Sequence, residues 1–208
     1  MMDRGRRKWF GSEIGDSPGL RRRLALLWVP AAALLLAAAG GDTLRATLRY
    51  ERSALAAGQW WRLFTAHLVH LGARHLLFNL AGLALMWLLF AREYGARRWL
   101  AIVLATLLAI DAGLWFGSPQ LQWYVGASGV LHGLWSAGGW AQWRRRSFAT
   151  ALPLLALLLK LVVEQWSGAS VVVGDLPVVL DAHVYGALGG LLLPMLWELP
   201  RMRRARPL

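Results

Sequence analysis

Cysteine is missing from all 208 residues, which excludes disulfides, thiolate nucleophiles and Cys-ligated zinc or iron–sulfur sites. Thiol usage therefore says nothing about compartment. Charge is scarce too. Asp and Glu total 11, and charged residues make up 16% of the chain, against about a quarter in a globular sequence. With 57% apolar residues, the composition excludes both an ordinary soluble domain and a disordered one. After residue 24 there is no Pro-, Gly- or Ser-rich linker long enough to divide domains, and no repeat of fixed period.

What is present instead is a series of long apolar runs, at about 24–41, 75–91, 99–116, 125–143, 151–166 and 178–199. Each is long enough, at about 1.5 Å per helical residue, to cross most or all of a hydrocarbon core of about 30 Å. The expectation is an all-α, polytopic membrane protein with six transmembrane helices. It comprises one membrane domain over 24–200, a basic tail over 1–23 and a second basic tail over 201–208. The shorter runs, 128–143 and 151–166, would start below the membrane surface or lie among the others.

A formal net charge of +12 could suggest nucleic acid, but the basic residues cluster at the ends of apolar runs, as a bilayer requires for orientation. In the six-span reading, seventeen of the 23 basic residues fall on one side: Arg4, Arg6, Arg7, Lys8 and Arg21 to Arg23, then Arg92, Arg97 and Arg98, then Arg144 to Arg146, then Arg201, Arg203, Arg204 and Arg206. The positive-inside rule puts both termini in the cytoplasm. The partner is the lipid bilayer, not nucleic acid. Opposite lies a loop of about 33 residues, 42–74, and Trp60, Trp61, Trp123 and Trp166 stand at the edges of that side as an interfacial belt would. Arg21 to Arg23, an apolar stretch and Ala37-Ala38-Ala39-Gly40 also resemble a cleavable signal peptide, which would leave five spans in the same orientation.

Ionisable and nucleophilic groups inside spans are costly in hydrocarbon, so each is a functional suspect. They are His75, Asn79, Asp111, Ser128, His132, Lys160, Glu164, Asp181 and His183. Ser128 lies 16 residues before Arg144, His183 lies 18 before Arg201, and His75 and Asn79 lie 17 and 13 before Arg92. Upright helices would raise these four to about 24, 27, 26 and 20 Å, one level just beneath the outer surface.

Gly126-Ala127-Ser128-Gly129 follows a polar loop and precedes an apolar run, which puts Ser128 at a helix N-terminus. First-turn N–H groups there lack intrahelical acceptors and could stabilise an oxyanion. A plain N-cap with packing glycines would read the same way. Gly129 and Gly133 make one small-residue stripe and Gly186 and Gly190 another, so the two helices can approach closely and carry His183 towards Ser128. A neutral imidazole there could take the hydroxyl proton. His75 and Asn79, at i and i+4, share a face and suit either oxyanion donation or a polar helix contact. Lys160 and Glu164, one turn apart, read as a structural pair that neutralises itself, and Asp181 points away from His183, so a serine–histidine dyad suffices.

These motifs resemble the rhomboid intramembrane serine proteases from about Gln59 to Gly190. The pieces are Trp60-Trp61-Arg62 with Phe64-Thr65, His70 with His75-Leu76-Leu77-Phe78-Asn79, Gly126-Ala127-Ser128-Gly129, and Ala182-His183 with Gly186 and Gly190. The resemblance implies a six-helix rhomboid-like bundle, Ser128 as nucleophile, His183 as base, and an oxyanion hole of His75, Asn79 and Ser128, without cofactor or metal. It implies supporting roles for Gly126, Gly129, His132, Gly186 and Gly190. His132 stands where the family usually has an aromatic residue stacked on the base. Ser128-Gly129-Val130-Leu131-His132-Gly133 further resembles the rhombosortase branch. That implies, as substrates, membrane-anchored surface proteins with a C-terminal Gly-Gly motif, an apolar span and a basic end, cut near the outer face of the bacterial inner membrane.

Three alternatives stay open. His132, at i+4 from Ser128, could serve as base within its own helix. The fold could bind or escort membrane spans without catalysis. His67, His70, His75, His132 and His183 could instead ligate haem or a metal.

Overall fold

In a computed structural model, described over residues 18–144, 147–172 and 176–204, the apolar runs become six helices of 16 to 25 residues. They are α1 (Pro18–Ala39), α5 (Ala73–Phe90), α6 (Ala96–Ala112), α7 (Ser128–Trp143), α8 (Phe148–Ser167) and α9 (Leu180–Arg204), joined by the short elements named below. The protein is an all-α, multi-pass membrane protein. α5, α8 and α6 with its continuation to Gly117 are long and apolar enough to cross a bilayer, and α1 with the helix after it reaches the same length and apolarity as a sharply bent pair. At 16 residues α7 spans only about 24 Å, and it is enclosed by its neighbours rather than by lipid.

Two expectations need correction. The stretch before residue 24 is not all tail, because 18–23 already belong to α1. The basic residues from Arg4 to Lys8, with Arg145, Arg146 and Arg206, lie outside the described residues. The stretch 42–74 is not a plain loop either. Gly41, at φ +62°, turns the chain through 114° into α2 (Gly41–Leu48), and β1 (Tyr50–Glu51), α3 (Arg52–Ala56), α4 (Arg62–Thr65) and a 3-10 turn (Ala66–Leu68) follow. Arginines hold this layer by donating to carbonyls that have no helical partner. Arg62 reaches the Ala46 and Arg49 oxygens at 2.9 and 2.8 Å, and Arg52 reaches those of Leu114, Trp115, Ser118 and Leu121 at 2.7 to 3.2 Å. Guanidinium groups suit this because each offers five donors in a fixed fork.

α7 is the central helix, in contact with α5, α6, α8 and α9. Its buried positions are mostly Gly, Ala and Ser, so neighbours close in on several sides: Phe90 against Gly138, Leu154 against Gly139, and α9 backbone against Gly129 and Gly133. A Cβ at Gly186 or Gly190 would run into the backbone of Gly129 or Gly133, so the small-residue stripes do meet. Ser136 adds a cross-helix bond to the Ala187 carbonyl at 2.7 Å.

At its end α6 widens into a π turn, Gly113–Gly117. Gly113 and Gly117 leave the room that the Tyr185 ring occupies. Ser118, just beyond, donates to Asp181 Oδ2 at 2.6 Å and pins the start of α9. β2 (Trp123–Tyr124) then pairs antiparallel with β1, Tyr50 opposite Tyr124.

Candidate active site

The loop entering α7 is held from several directions. The Tyr124 hydroxyl donates to the Gly126 carbonyl at 2.6 Å, and the Gly126 N–H donates to the Ala66 carbonyl at 3.0 Å. Gly126 has φ +121°, a region that side chains strongly disfavour, and the His75 ring fills the place a Cβ would take. This turn delivers Ser128 as the first residue of α7, with Ala127 at the cap position. Ser128 is therefore not the cap residue. Its hydroxyl instead lies 2.9 Å from His183 Nε2.

His183 is buried in the first turn of α9, and its other nitrogen, Nδ1, lies 2.9 Å from Glu164 Oε2. The remaining partners of that carboxylate are donors: Lys160 Nζ at 2.6 Å, Ser170 Oγ at 3.0 Å and the Val171 N–H at 3.1 Å, all on Oε1. An acceptor-only carboxylate assigns the imidazole proton to Nδ1. Nε2 is then left with a lone pair facing the Ser128 hydroxyl, the tautomer that can accept its proton.

His132 comes to the same place in another role. Its ring stacks on that of His183, with centroids 4.1 Å apart and planes 13° from parallel, while Nδ1 donates to the Ser128 carbonyl at 2.7 Å. Among the described residues it is His183, not His132, that faces the serine hydroxyl.

His75 and Asn79 line the same cavity, of about 280 Å³, together with Ser128, His132, Lys160 and His183. The Leu71 N–H approaches His75 Nδ1 at 3.4 Å, which leaves the proton on Nε2, an atom without a partner. Asn79 Nδ2 donates one hydrogen to the His75 carbonyl at 2.9 Å and keeps its second. Phe78, Gly82, Leu85 and Met86 of α5 give the cavity an apolar wall.

The match to known families covers most of this architecture, since residues 57–198 fit the Rhomboid domain. The chain belongs to the rhomboid family. It is 28% identical over 159 residues to a Bacillus subtilis protein described as "Putative rhomboid protease YdcA", an alignment covering 72% of this chain and 73% of that protein. It is 37% identical over 103 residues to the Bacillus subtilis rhomboid protease GluP, covering 48% of this chain but only 20% of that longer protein.

In this rhomboid the remaining polar suspects fall elsewhere. His67 Nε2 lies 3.5 Å from Asp111 Oδ1, both buried beside Tyr124. His70, in the connection before α5, sits edge-on to His75 at 5.0 Å, and burial, then the neighbouring His75, lower its pKa to about 4, so it is uncharged at neutral pH. His132, Glu164 and His183 are close enough to share a metal ion, with donor atoms within 4.8 Å of one another. Both His183 nitrogens and both Glu164 oxygens already have hydrogen-bond partners, whereas His132 Nε2 has none, so an ion would have to displace bonds of His183 and Glu164. Glu164 departs from the expected self-neutralising pair with Lys160, because only one of its oxygens serves the lysine. The missed signal was its height. Glu164 lies 18 residues after Arg146, about 27 Å up a regular helix, level with Ser128 and His183.

Proposed function

We propose that this rhomboid is an intramembrane serine endopeptidase that cuts membrane-anchored proteins near the outer face of the inner membrane. The observation that carries the reading is the 2.9 Å approach of the Ser128 hydroxyl to His183 Nε2 inside a cavity that also holds His75 and Asn79. On attack, the Ser128 oxygen bonds to the substrate carbonyl carbon as its proton passes to His183 Nε2. The negative oxygen is met by first-turn N–H groups of α7, His75 Nε2–H and the second Asn79 hydrogen. The C–N bond then breaks, His183 returns the proton to the leaving amine, and water hydrolyses the acyl-enzyme by the same route in reverse.

A helical substrate hides its carbonyls in backbone hydrogen bonds, so the chain favours weakly helical, Gly-rich segments. The Ser128-to-Gly133 segment supports a rhombosortase-like preference for C-terminal tails with Gly-Gly, an apolar span and a basic end. The arginine clusters support cytoplasmic termini, six crossings and an outward-facing serine.

The test has two arms. A serine-directed phosphonate labels the wild-type chain and not Ser128→Ala; retained labelling of the variant sinks the assignment. Mass spectrometry of a coexpressed Gly-Gly-tailed protein shows a cut that Ser128→Ala abolishes. A variant that still captures that protein, with no cut in either chain, supports the escort reading instead.

A further inference from the structure

The proposed dyad leaves one group in its surroundings unused. Glu164 is fully buried near the C-terminal end of α8, the least enclosed of the crossing helices. A carboxylate in such a position is costly unless paired and hydrogen-bonded. Its two oxygens divide the work. Oε1 takes the Lys160 ammonium, the Ser170 hydroxyl and the Val171 N–H, whereas Oε2 is directed at His183 Nδ1 at 2.9 Å. The chain is folded to keep it there. Gly168, at φ +67°, ends α8 and turns the backbone, and Ser170 and Val171 come back over the carboxylate. An ion pair serving Lys160 alone would need neither this turn nor the second oxygen.

We infer that Glu164 is a positioning residue which, through His183, extends the serine and histidine into a Ser128–His183–Glu164 relay. The inference rests on the reading of Ser128 and His183 as reactive groups and deepens it. Glu164 holds the proton on Nδ1, so that Nε2 is the basic nitrogen, and it fixes the ring plane between Ser128 and the stacked His132. When the Ser128 proton moves to Nε2, the imidazolium keeps its Nδ1–H on Glu164, whose negative charge offsets the new positive one. No proton passes to Glu164. Lys160 anchors the other oxygen, so the carboxylate cannot swing away with the exposed face of α8.

The experiment compares phosphonate labelling rates of the full-length chain in detergent for wild type, Glu164→Gln, His183→Ala and the double variant, with thermal unfolding of each. Glu164→Gln slows labelling by about 10²- to 10⁴-fold, the range expected when the orienting carboxylate of such a relay becomes an amide. In the His183→Ala background the same change has no further effect, because the two act as one unit. Equal slowing in both backgrounds, or wild-type labelling by Glu164→Gln, overturns the inference. Lys160→Met with Glu164→Gln, which removes both charges, serves if the single variant fails to fold. A second readout does not depend on activity: the hydrogen-bonded Nδ1 proton gives a low-field NMR resonance that His183→Ala and Glu164→Gln abolish and Ser128→Ala retains. Its absence from the wild type also overturns the inference. Labelling that survives Ser128→Ala while this resonance behaves as described refutes the protease reading and leaves the Glu164 contact standing.

Discussion

Gly186→Ala tests whether the α7–α9 contact sets the distance between Ser128 and His183. Gly186 lies one turn beyond His183, and its Cβ would sit 2.7 Å from the Gly129 carbonyl carbon and 3.2 Å from its Cα, with the carbonyl oxygen nearer still. Ordinary contact begins at 3.4 Å, and the obstacle is backbone, which cannot rotate away as a side chain can. Clearing the carbon alone parts the helices by about 0.7 Å and clearing the oxygen takes more, so rigid-body movement would stretch the 2.9 Å Ser128–His183 approach beyond about 3.6 Å, past the limit of a hydrogen bond. A misplacement near 1 Å can cost about 10²-fold in rate, so labelling by a serine-directed phosphonate should fall between about ten- and 10²-fold. Stability changes less. Overpacking costs about 1–3 kcal/mol, partly offset by the roughly 0.5–1 kcal/mol gained on removing a mid-helix glycine. Gly95→Ala is the control, because a Cβ there meets nothing within 4 Å. Wild-type labelling by Gly186→Ala, with unfolding unchanged, would refute the idea that the glycine stripe governs the site.

Two further predictions follow from the same geometry. His132→Ala removes the ring stacked on His183, a contact worth about 0.5–1.5 kcal/mol, and should slow labelling by roughly two- to tenfold, whereas His183→Ala costs about 10²-fold or more. The opposite order would make His132 the base. Since the chain has no cysteine of its own, Ala57→Cys and Arg92→Cys, each at an exposed residue, report topology directly. An impermeant maleimide applied to intact spheroplasts should label the first and reach the second only after lysis, and the reverse result would invert the proposed orientation.

The helices and the meeting of Ser128 with His183 were legible because they rest on repeating signals: apolar length, arginine clusters and glycines four apart. Counting residues from those clusters also put His75 and Asn79 at the level where they line the cavity. The Lys160–Glu164 pair was legible and forms, but the bond from Glu164 to His183 was not, because Lys160 at i−4 offered a sufficient local explanation and nothing along α8 indicates a bond to a histidine 19 residues later. The layer over 42–74 was hidden for a related reason. Its order comes from Arg52 and Arg62 reaching carbonyls distant in sequence, and such bonds have no period to detect. The 3-10 turn at Ala66–Leu68 likewise supplies the Ala66 oxygen that fixes Gly126, a pairing invisible until the chain is folded.

The π turn at Gly113–Gly117 sets both the notch in which the Tyr185 ring sits and the point from which Ser118 reaches Asp181. A residue inserted or deleted there that the local winding did not absorb would rotate everything downstream by about 100°, swinging Ser118 off Asp181 and closing the notch around Tyr185. The lower turns of α6 would keep their phase against α9. Insertions and deletions near Gly113 should therefore disable the molecule while leaving its bilayer insertion intact, a class of defect that expression level alone would never reveal.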